Sequence, residues 1–302
     1  MKIGISLTSN YPDVTDPRQG ARWMIERAAA ACRAGLDSLF IGDQHASPTP
    51  YYQNTPMLGR LLGEWGDDRA AGCLFLVPLW NPVLMAEQIG TLATVAGEPF
   101  IVQTGIGQRE RDGMGSDGRH RGRILDEAIP LVKSLLAGEK VDSAFFGLRG
   151  AVISPTPPGP VEWWIGAAAA AGIDRAARFG DPWYAEPGLT VEAAAERMAI
   201  YRERCAHHGT SPARVPIRRD VFVAATDAEA ERVVGPVLAA GYRGMKPEAL
   251  AYGSPGRVAE HFARYAELGF TDVIVRQMSV PQADALRSYE LLGTIVEEVA
   301  SL

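Results

Sequence analysis

The strongest chemical grouping in this chain is Asp43-Gln44-His45. A carboxylate two residues from an imidazole can fix the ring's tautomer through a hydrogen bond, and the imidazole can then donate or accept a proton near neutral pH. His45 is therefore the best proton donor in the sequence, with Asp43 as its orienting partner; the alternative is a structural histidine that caps a strand end. A metal centre would use the same two residues, but it needs further His or acidic ligands from other strand ends. His120 lies in an arginine-rich loop, His207 and His208 end a helical stretch and His261 lies on another, and all four read as solvated surface. No metal is expected. A G-x-S-x-G elbow is absent, and Cys32, Cys73 and Cys205 have no obvious His partner, so nucleophilic hydrolysis has no support.

Two segments have the composition of phosphate cradles, in which small residues let backbone N–H groups approach an anion at a helix start. One is Thr104-Gly105-Ile106-Gly107-Gln108-Arg109, and the other is Gly166-Ala167-Ala168-Ala169. Either is equally compatible with a tight turn or a helix of small residues packed on a sheet. Arg109, Arg111, Arg119, Arg121 and Arg123 follow the first segment and offer charge-assisted hydrogen bonds to an anion, although Glu110, Asp112 and Asp117 also fit a solvated loop. Lys246 and Arg276 are further candidates for anion or substrate binding, with a surface lysine and a strand-end ion pair as the alternatives. Trp80 and Trp183, together with Tyr51, Tyr52 and Tyr184, supply aromatic surfaces for a substrate or for ordinary packing. Gly113 to Gly118 matches G-x-G-x-x-G literally, but it lies in a charged loop well beyond the preceding strand and reads as an accidental match.

Positioning these groups requires an alternating α/β scaffold. Strands are predicted at 3–7, 38–41, 71–77, 100–104, 163–166, 182–185, 217–224 and 272–276, and helices at 21–34, 57–64, 82–95 and 123–137, with helical sequence after each later strand. The stretch 138–160 loses helical period and is rich in proline, so it reads as an insertion between strands 4 and 5, with a lid as one possible role. Thr8-Ser9-Asn10-Tyr11-Pro12 follows the first strand where a doubly wound fold usually has a glycine-rich turn, which favours a (β/α)₈ TIM barrel of one domain, residues 1–302. Active sites of such barrels gather at the C-terminal ends of the strands. The composition is that of a soluble globular protein, with 47% hydrophobic and 22% charged residues, and the net charge of −6 gives no broad cationic field for nucleic acid or anionic membrane. Three scattered cysteines, no signal-like start and no long apolar run point to the cytoplasm.

Across nearly the whole length, the ordered motifs resemble the luciferase-like monooxygenase and coenzyme F420-dependent oxidoreductase superfamily. The resemblance rests on Asp43-Gln44-His45, on Val77-Pro78-Leu79-Trp80-Asn81-Pro82-Val83 leading into Ala86-Glu87-Gln88, and on Thr91-Leu92-Ala93 and Gly105-Ile106-Gly107. It continues through Trp164-Ile165-Gly166, the run from Arg175 to Trp183, and Ser254-Pro255-Gly256-Arg257-Val258 followed by Leu268-Gly269-Phe270-Thr271-Asp272. It implies an isoalloxazine or deazaflavin ring at the barrel mouth, a homodimer, a small-molecule substrate and, for some members, a separate reductase that supplies the reduced cofactor. His45 then matches an active-site histidine. The strand-three region Leu74-Phe75-Leu76 matches a bulge, often with a non-proline cis peptide, that supports the ring; Gly166, Ala167 and Ala168 match the family's phosphate side.

Departures from the family pattern are informative. Gln44 stands where luciferases commonly place a second histidine, Gly97-Glu98-Pro99 replaces a Gly-Gly-Arg, and Gln108 stands where several FMN members have arginine, with Arg109 one residue on. These differences lean towards coenzyme F420 rather than FMN. The expected activity is deazaflavin hydride transfer to or from a small organic substrate. The alternatives are an FMN-dependent monooxygenase that consumes O₂ and a flavin-binding protein without catalysis.

Overall fold

Short apolar strands alternate with longer amphipathic helices from one end of the chain to the other. The computed structural model describes residues 1–97, 99–107 and 119–302. In order these form β1 Lys2–Leu7, α1 Pro17–Arg33, β2 Ser38–Ile41, α2 Asn54–Trp65, β3 Ala70–Leu76, α3 Pro82–Val95, β4 Phe100–Gly105 and α4 Arg121–Leu136. The chain continues as β5 Val141–Ser143, β6 Leu148–Ala151, β7 Val161–Gly166, α5 Ala170–Phe179, β8 Trp183–Tyr184 and α6 Val191–His208. It ends with β9 Pro216–Val223, α7 Asp227–Ala239, β10 Ala251–Gly253, α8 Pro255–Glu267, β11 Asp272–Gln277, α9 Gln282–Gly293 and α10 Val296–Ala300.

Local sequence sets the helix ends. Asp16 and Asn81 accept hydrogen bonds from backbone N–H groups in the first turn of α1 and α3, each of which begins with proline. Gly180 and Gly209 close α5 and α6 in the left-handed conformation that glycine adopts without a side-chain clash.

The large sheet has the order β10-β9-β11-β1-β2-β3-β4-β7-β8, with every pairing parallel. It curls on itself. A parallel bridge joins Ala185, just past β8, to Ile217 on β9, with Ala185 N 2.9 Å from Pro216 O and Arg218 N 3.1 Å from Ala185 O. Helices cover the outside, and their contact with the sheet forms the main core, which includes Leu39, Ile41, Phe100, Val102, Trp163, Ile165, Val273 and Val275. The alternate residues on those same strands, Phe40, Ile101, Trp164 and Ile274, form a separate cluster inside the curl. Period-two alternation therefore decides whether a side chain faces the helices or the interior.

The strands and helices lie where the sequence placed them, to within a few residues. The stretch 138–160 contains the antiparallel hairpin β5–β6. The hairpin leaves the far end of α4 and runs back along that helix, so that Phe145 in its turn lies under Arg123 of the first turn of α4, 5.0 Å from guanidinium carbon to ring centroid. Residues 156–160 sit beside Val161 at the start of β7 and Pro182 before β8, and the Pro155 carbonyl lies against Gly90 of α3. The literal G-x-G-x-x-G at 113–118 falls outside the described residues.

Candidate active site

Just past β2 the chain turns into the mouth of the curled sheet, and the buried Asp43 becomes the hub. Pairing of β2 with β3 ends at Ile41 and Cys73, which leaves the next backbone groups of β3 without a strand partner on that side. Side chains replace the missing strand. Asn54 Nδ2 donates to Leu74 O at 2.7 Å, and Leu76 N donates to Asp43 Oδ2 at 2.8 Å. Trp80 Nε1 donates to the same Asp43 oxygen at 2.8 Å. The other oxygen, Oδ1, lies 2.9 Å from His45 Nε2. The indole of Trp80 meets the His45 ring edge-on at 5.8 Å and that of Phe75 at 5.0 Å between centroids. His45 is thus held between a carboxylate and an indole, with part of its ring open to the mouth. Ala46, the next residue, has φ +50°, a left-handed conformation that L-residues rarely adopt.

One wall of the mouth is apolar and smooth. Leu74 and Leu76 are half-buried and face inward, opposite Gly105, where an added Cβ would meet Leu76 at 3.0 Å and Leu74 at 3.5 Å. Gly107 follows with φ +73°, next to Leu76, and accepts from Arg121 Nη1 at 3.2 Å. Gly166 approaches so closely that a Cβ would stand 2.4 Å from Thr104 O. Beyond it, Ala167 and Ala168 lead into α5, whose N-cap Ala169 provides no side-chain cap. Gly105, Gly166, Ala167 and Ala168 are thereby brought to one side of the mouth.

Several expected site residues do not face it. Trp183 is buried in the layer between sheet and helices, stacked near Tyr201 and Phe270, with Nε1 donating to Ala167 O at 2.9 Å. Its neighbour Tyr184 has the inward parity, packing on Trp164 at 5.7 Å. Phe75 and Thr104 are likewise fully buried on the helix side, so only their backbone can contribute to the mouth. Lys246 is exposed, just before a single 3₁₀ turn at Pro247–Ala249, and is surface lysine. Gln108 and Arg109 lie outside the described residues. The anticipated bulge on β3 is also missing: β3 and β4 pair residue for residue from Ala71–Phe100 to Leu76–Gly105. Among the described residues Ser154–Pro155 is the only cis peptide. Asn54 and Asp43 supply the partners that a distorted strand would otherwise lack.

Arg276 does face inward, one alternation beyond Ile274, and it brings neighbours that the sequence reading had not singled out. Asp220, fully buried on β9, accepts at Oδ2 from Tyr242 Oη at 2.8 Å and from Arg243 Nη1 at 2.9 Å. Arg218 Nη2 lies 3.3 Å from its Oδ1. Burial opposes ionisation of Asp220, but the charges of Arg218, Arg243 and Arg276 and the Tyr242 hydroxyl outweigh it and hold the carboxyl below its ordinary range. The available signal was Arg218-Arg219-Asp220 interrupting an otherwise apolar strand. Arg219 has the opposite parity, donating to Pro187 O at 2.8 Å and lying 4.0 Å over the Tyr265 ring. His261 is half-buried rather than fully solvated. Its Nε2 is buried without a hydrogen-bond partner among the described residues, and burial, with Arg219, Arg264 and Arg257 nearby, pushes it down to about 4.

No cluster of three or more His, Cys, Asp or Glu suited to a metal occurs among the described residues. Nor is any described helix long and apolar enough to cross a membrane.

The structure is a parallel α/β sheet curled on itself with helices outside, and it carries the Asp43–His45 contact at its strand ends. The luciferase-like monooxygenase family model matches residues 1–251, and the chain belongs to that family. An F420-dependent glucose-6-phosphate dehydrogenase of Beutenbergia cavernae is 28% identical over 194 residues, covering 59% of this chain and 56% of the relative. Its counterpart in Mycobacterium tuberculosis is 25% identical over 191 residues, covering 59% of this chain and 56% of the relative. The matches thus span just over half the length of these relatives. Among solved structures, an F420-dependent secondary alcohol dehydrogenase in complex with an F420-acetone adduct superposes with TM-score 0.78 at 15% identity, covering 99% of this chain and 98% of that one. The oxygenating constituent of 3,6-diketocamphane monooxygenase from the CAM plasmid of Pseudomonas putida, in complex with FMN, gives 0.77 at 18% identity, covering 100% and 98%. At these identities the structural likeness establishes the fold.

Proposed function

We propose that this chain is a deazaflavin-dependent oxidoreductase that moves a hydride to or from a small organic substrate at the mouth of a (β/α)₈ barrel. On this reading β1, β2, β3, β4, β7, β8, β9 and β11 are the eight barrel strands, and 138–160 is an insertion between the fourth and fifth. The carrying observation is the Asp43–His45 contact at 2.9 Å, set beside a smooth wall of Leu74, Leu76, Gly105 and Gly107. A planar tricyclic ring needs a flat apolar surface on one face, and this wall presents half-buried leucines and glycines rather than bulky or charged groups. The residues present therefore fit such a group. Gly166, Ala167 and Ala168 are the chain's candidates for holding its phosphate.

When bound, the deazaflavin supplies or accepts the hydride. The protein's part is to position and to handle the proton. Asp43 fixes the imidazole through Nε2, so His45 can give a proton to a developing alkoxide or take one from an alcohol as the hydride moves. Trp80 packs against His45 and limits the water that reaches it. Curated relatives that depend on F420 support the deazaflavin choice. The FMN-bound structural neighbour keeps FMN-dependent monooxygenation as the second reading.

Fluorescence titration of the purified protein with FMN and with coenzyme F420 tests the proposal. Tight binding of F420 with weak binding of FMN is expected, and the reverse selects the monooxygenase reading. Binding of neither removes the cofactor argument. His45→Ala is expected to leave F420 affinity within about twofold while lowering turnover by roughly 10²–10⁴; unchanged turnover would show that His45 is not the proton donor.

A further inference from the structure

The interior face of β9 and β11 carries more positive charge than the protein itself neutralises. Arg218, Arg243 and Arg276 surround a single carboxylate, Asp220, and both of its oxygens already have cationic or hydroxyl neighbours. Arg276 is the register partner of Asp220 on the adjacent strand, yet its side chain makes no hydrogen bond or ion pair among the described residues. Nε and Nη2 of Arg218 are buried without a hydrogen-bond partner among them as well. Burial, followed by the charges of Arg218 and Arg243, pushes Arg276 down to about 10, so it still carries its charge at neutral pH. Guanidinium groups cannot shed their charge cheaply, and leaving several of them partly desolvated around one carboxylate costs free energy that an incoming anion would recover. Arg243 is brought into the group by an unusual backbone. It has φ +50° between Gly241 at +75° and Gly244 at +66°, and Tyr242 beside it anchors the turn on Asp220.

We propose that Arg218, Arg243 and Arg276 form a docking site for an acidic group, a carboxylate or a phosphate, on the substrate. This rests on the reading of the mouth as the active site. Two molecules could bring such a group, the substrate or the cofactor, and the sheet order separates them. The smooth wall belongs to β3 and β4, whereas Arg218 and Arg276 belong to β9 and β11, with β1 and β2 between the two pairs, and Arg243 reaches the same side from the turn after α7. The polar side of the mouth therefore receives the molecule held opposite the ring wall. Arg276 and Arg218 supply planar donor forks suited to bidentate recognition, and Asp220 holds Arg218 and Arg243 in place without occupying Arg276.

Inorganic phosphate is the probe. In low-ionic-strength buffer, where screening is weak, phosphate is expected to raise the thermal midpoint of the wild-type protein saturably and beyond the effect of chloride at matched ionic strength. Arg276→Met should weaken phosphate affinity at least tenfold, and Arg276→Lys should weaken it less. Lys246→Met, on the surface, should leave it unchanged. Arg243→Gln, at a side chain that reaches solvent, provides a second reduction should Arg276→Met fold poorly. A wild-type midpoint that phosphate moves no more than chloride overturns the proposal, as does a phosphate response that survives in both arginine variants. FMN and F420 titrations of Arg276→Met assign the source. Affinities within about twofold of wild type support a substrate site, whereas a parallel loss of cofactor affinity overturns it. If the wild type binds phosphate through Arg276 but neither cofactor, the oxidoreductase reading fails while the anion site stands.

Discussion

On the proposed function Asp43 does two separable things, and two substitutions divide them. Asp43→Ala removes the acceptor of two donors, Leu76 N–H and Trp80 Nε1–H, each at 2.8 Å. An orphaned buried donor costs roughly 1–3 kcal/mol, and the half-buried Trp80 indole can partly turn to water, so the loss should be about 2–4 kcal/mol. Asp43→Asn behaves differently. Its single carbonyl oxygen can still serve Leu76 and Trp80, so stability should fall by only about 1 kcal/mol, the difference between charge-assisted and neutral hydrogen bonds. Its amide nitrogen then faces His45 Nε2, where Oδ1 lay at 2.9 Å. Two N–H groups cannot share that contact, so the ring must present a bare Nε2 and carry its proton on Nδ1. Turnover of Asp43→Asn should drop by roughly 10²–10⁴ with little change in cofactor affinity. Urea denaturation gives the first quantity, and steady-state kinetics with a fluorescence titration gives the second. An Asp43→Asn enzyme with turnover within about threefold of wild type would refute the orienting role, and an Asp43→Ala protein as stable as wild type would refute the structural one.

Other expectations follow from local geometry. His261 protonates at about 4 in the folded protein against 6.5 ordinarily, so the unfolded chain takes up a proton first as the pH falls. The folded state should lose stability between pH 6.5 and about 4, by at most about 3 kcal/mol and less to the extent that water reaches the ring. Urea midpoints at pH 7 and pH 4.5 should differ less in His261→Gln than in the wild type, and an equal difference would mean that the ring is solvated. At Gly72 an added Cβ would stand 1.8 Å from Ile101 O, so Gly72→Ala should cost about 3 kcal/mol or more by forcing β3 from β4, read as a drop in thermal midpoint. Ala46 sits at φ +50°, so Ala46→Gly should be neutral or stabilising by up to about 1 kcal/mol while Ala46→Val should destabilise by about 2 kcal/mol; equal midpoints for the two variants would argue against the left-handed turn after His45.

Much of the scaffold was legible because parallel strands buried on both faces write themselves as short apolar runs. Ser38–Ile41, with all four residues buried, is the plainest case. The Asp43–His45 pair was legible for a different reason: two residues of the right types at a strand end need only a turn to meet. Tertiary substitution was harder to see. Asn54 comes twenty residues before Leu74, and nothing local indicates that its amide completes the edge of β3. The strand β10, three residues long, was too short to carry a period.

The errors at the mouth share a cause, which also explains why the arginine cluster was missed. In a sheet buried on both faces, the apolar pattern that usually tells inside from outside is erased, so parity along a strand must be read from whatever polar residues remain. Trp183 and Tyr184 are neighbours and both are aromatic, yet one packs under α6 and the other lines the interior. On β9 the triplet Arg218-Arg219-Asp220 contains the answer in its charges. Arg219 finds backbone carbonyls and an aromatic face on the helix side, while its two flanking residues must point the other way and meet each other. A strand this buried does not carry three charged residues for solubility. Where alternation alone fails, charged residues that interrupt a buried strand show which way its side chains point, and here they mark the interior face, with β11, β1 and β2 between them and Leu74 and Leu76 on β3.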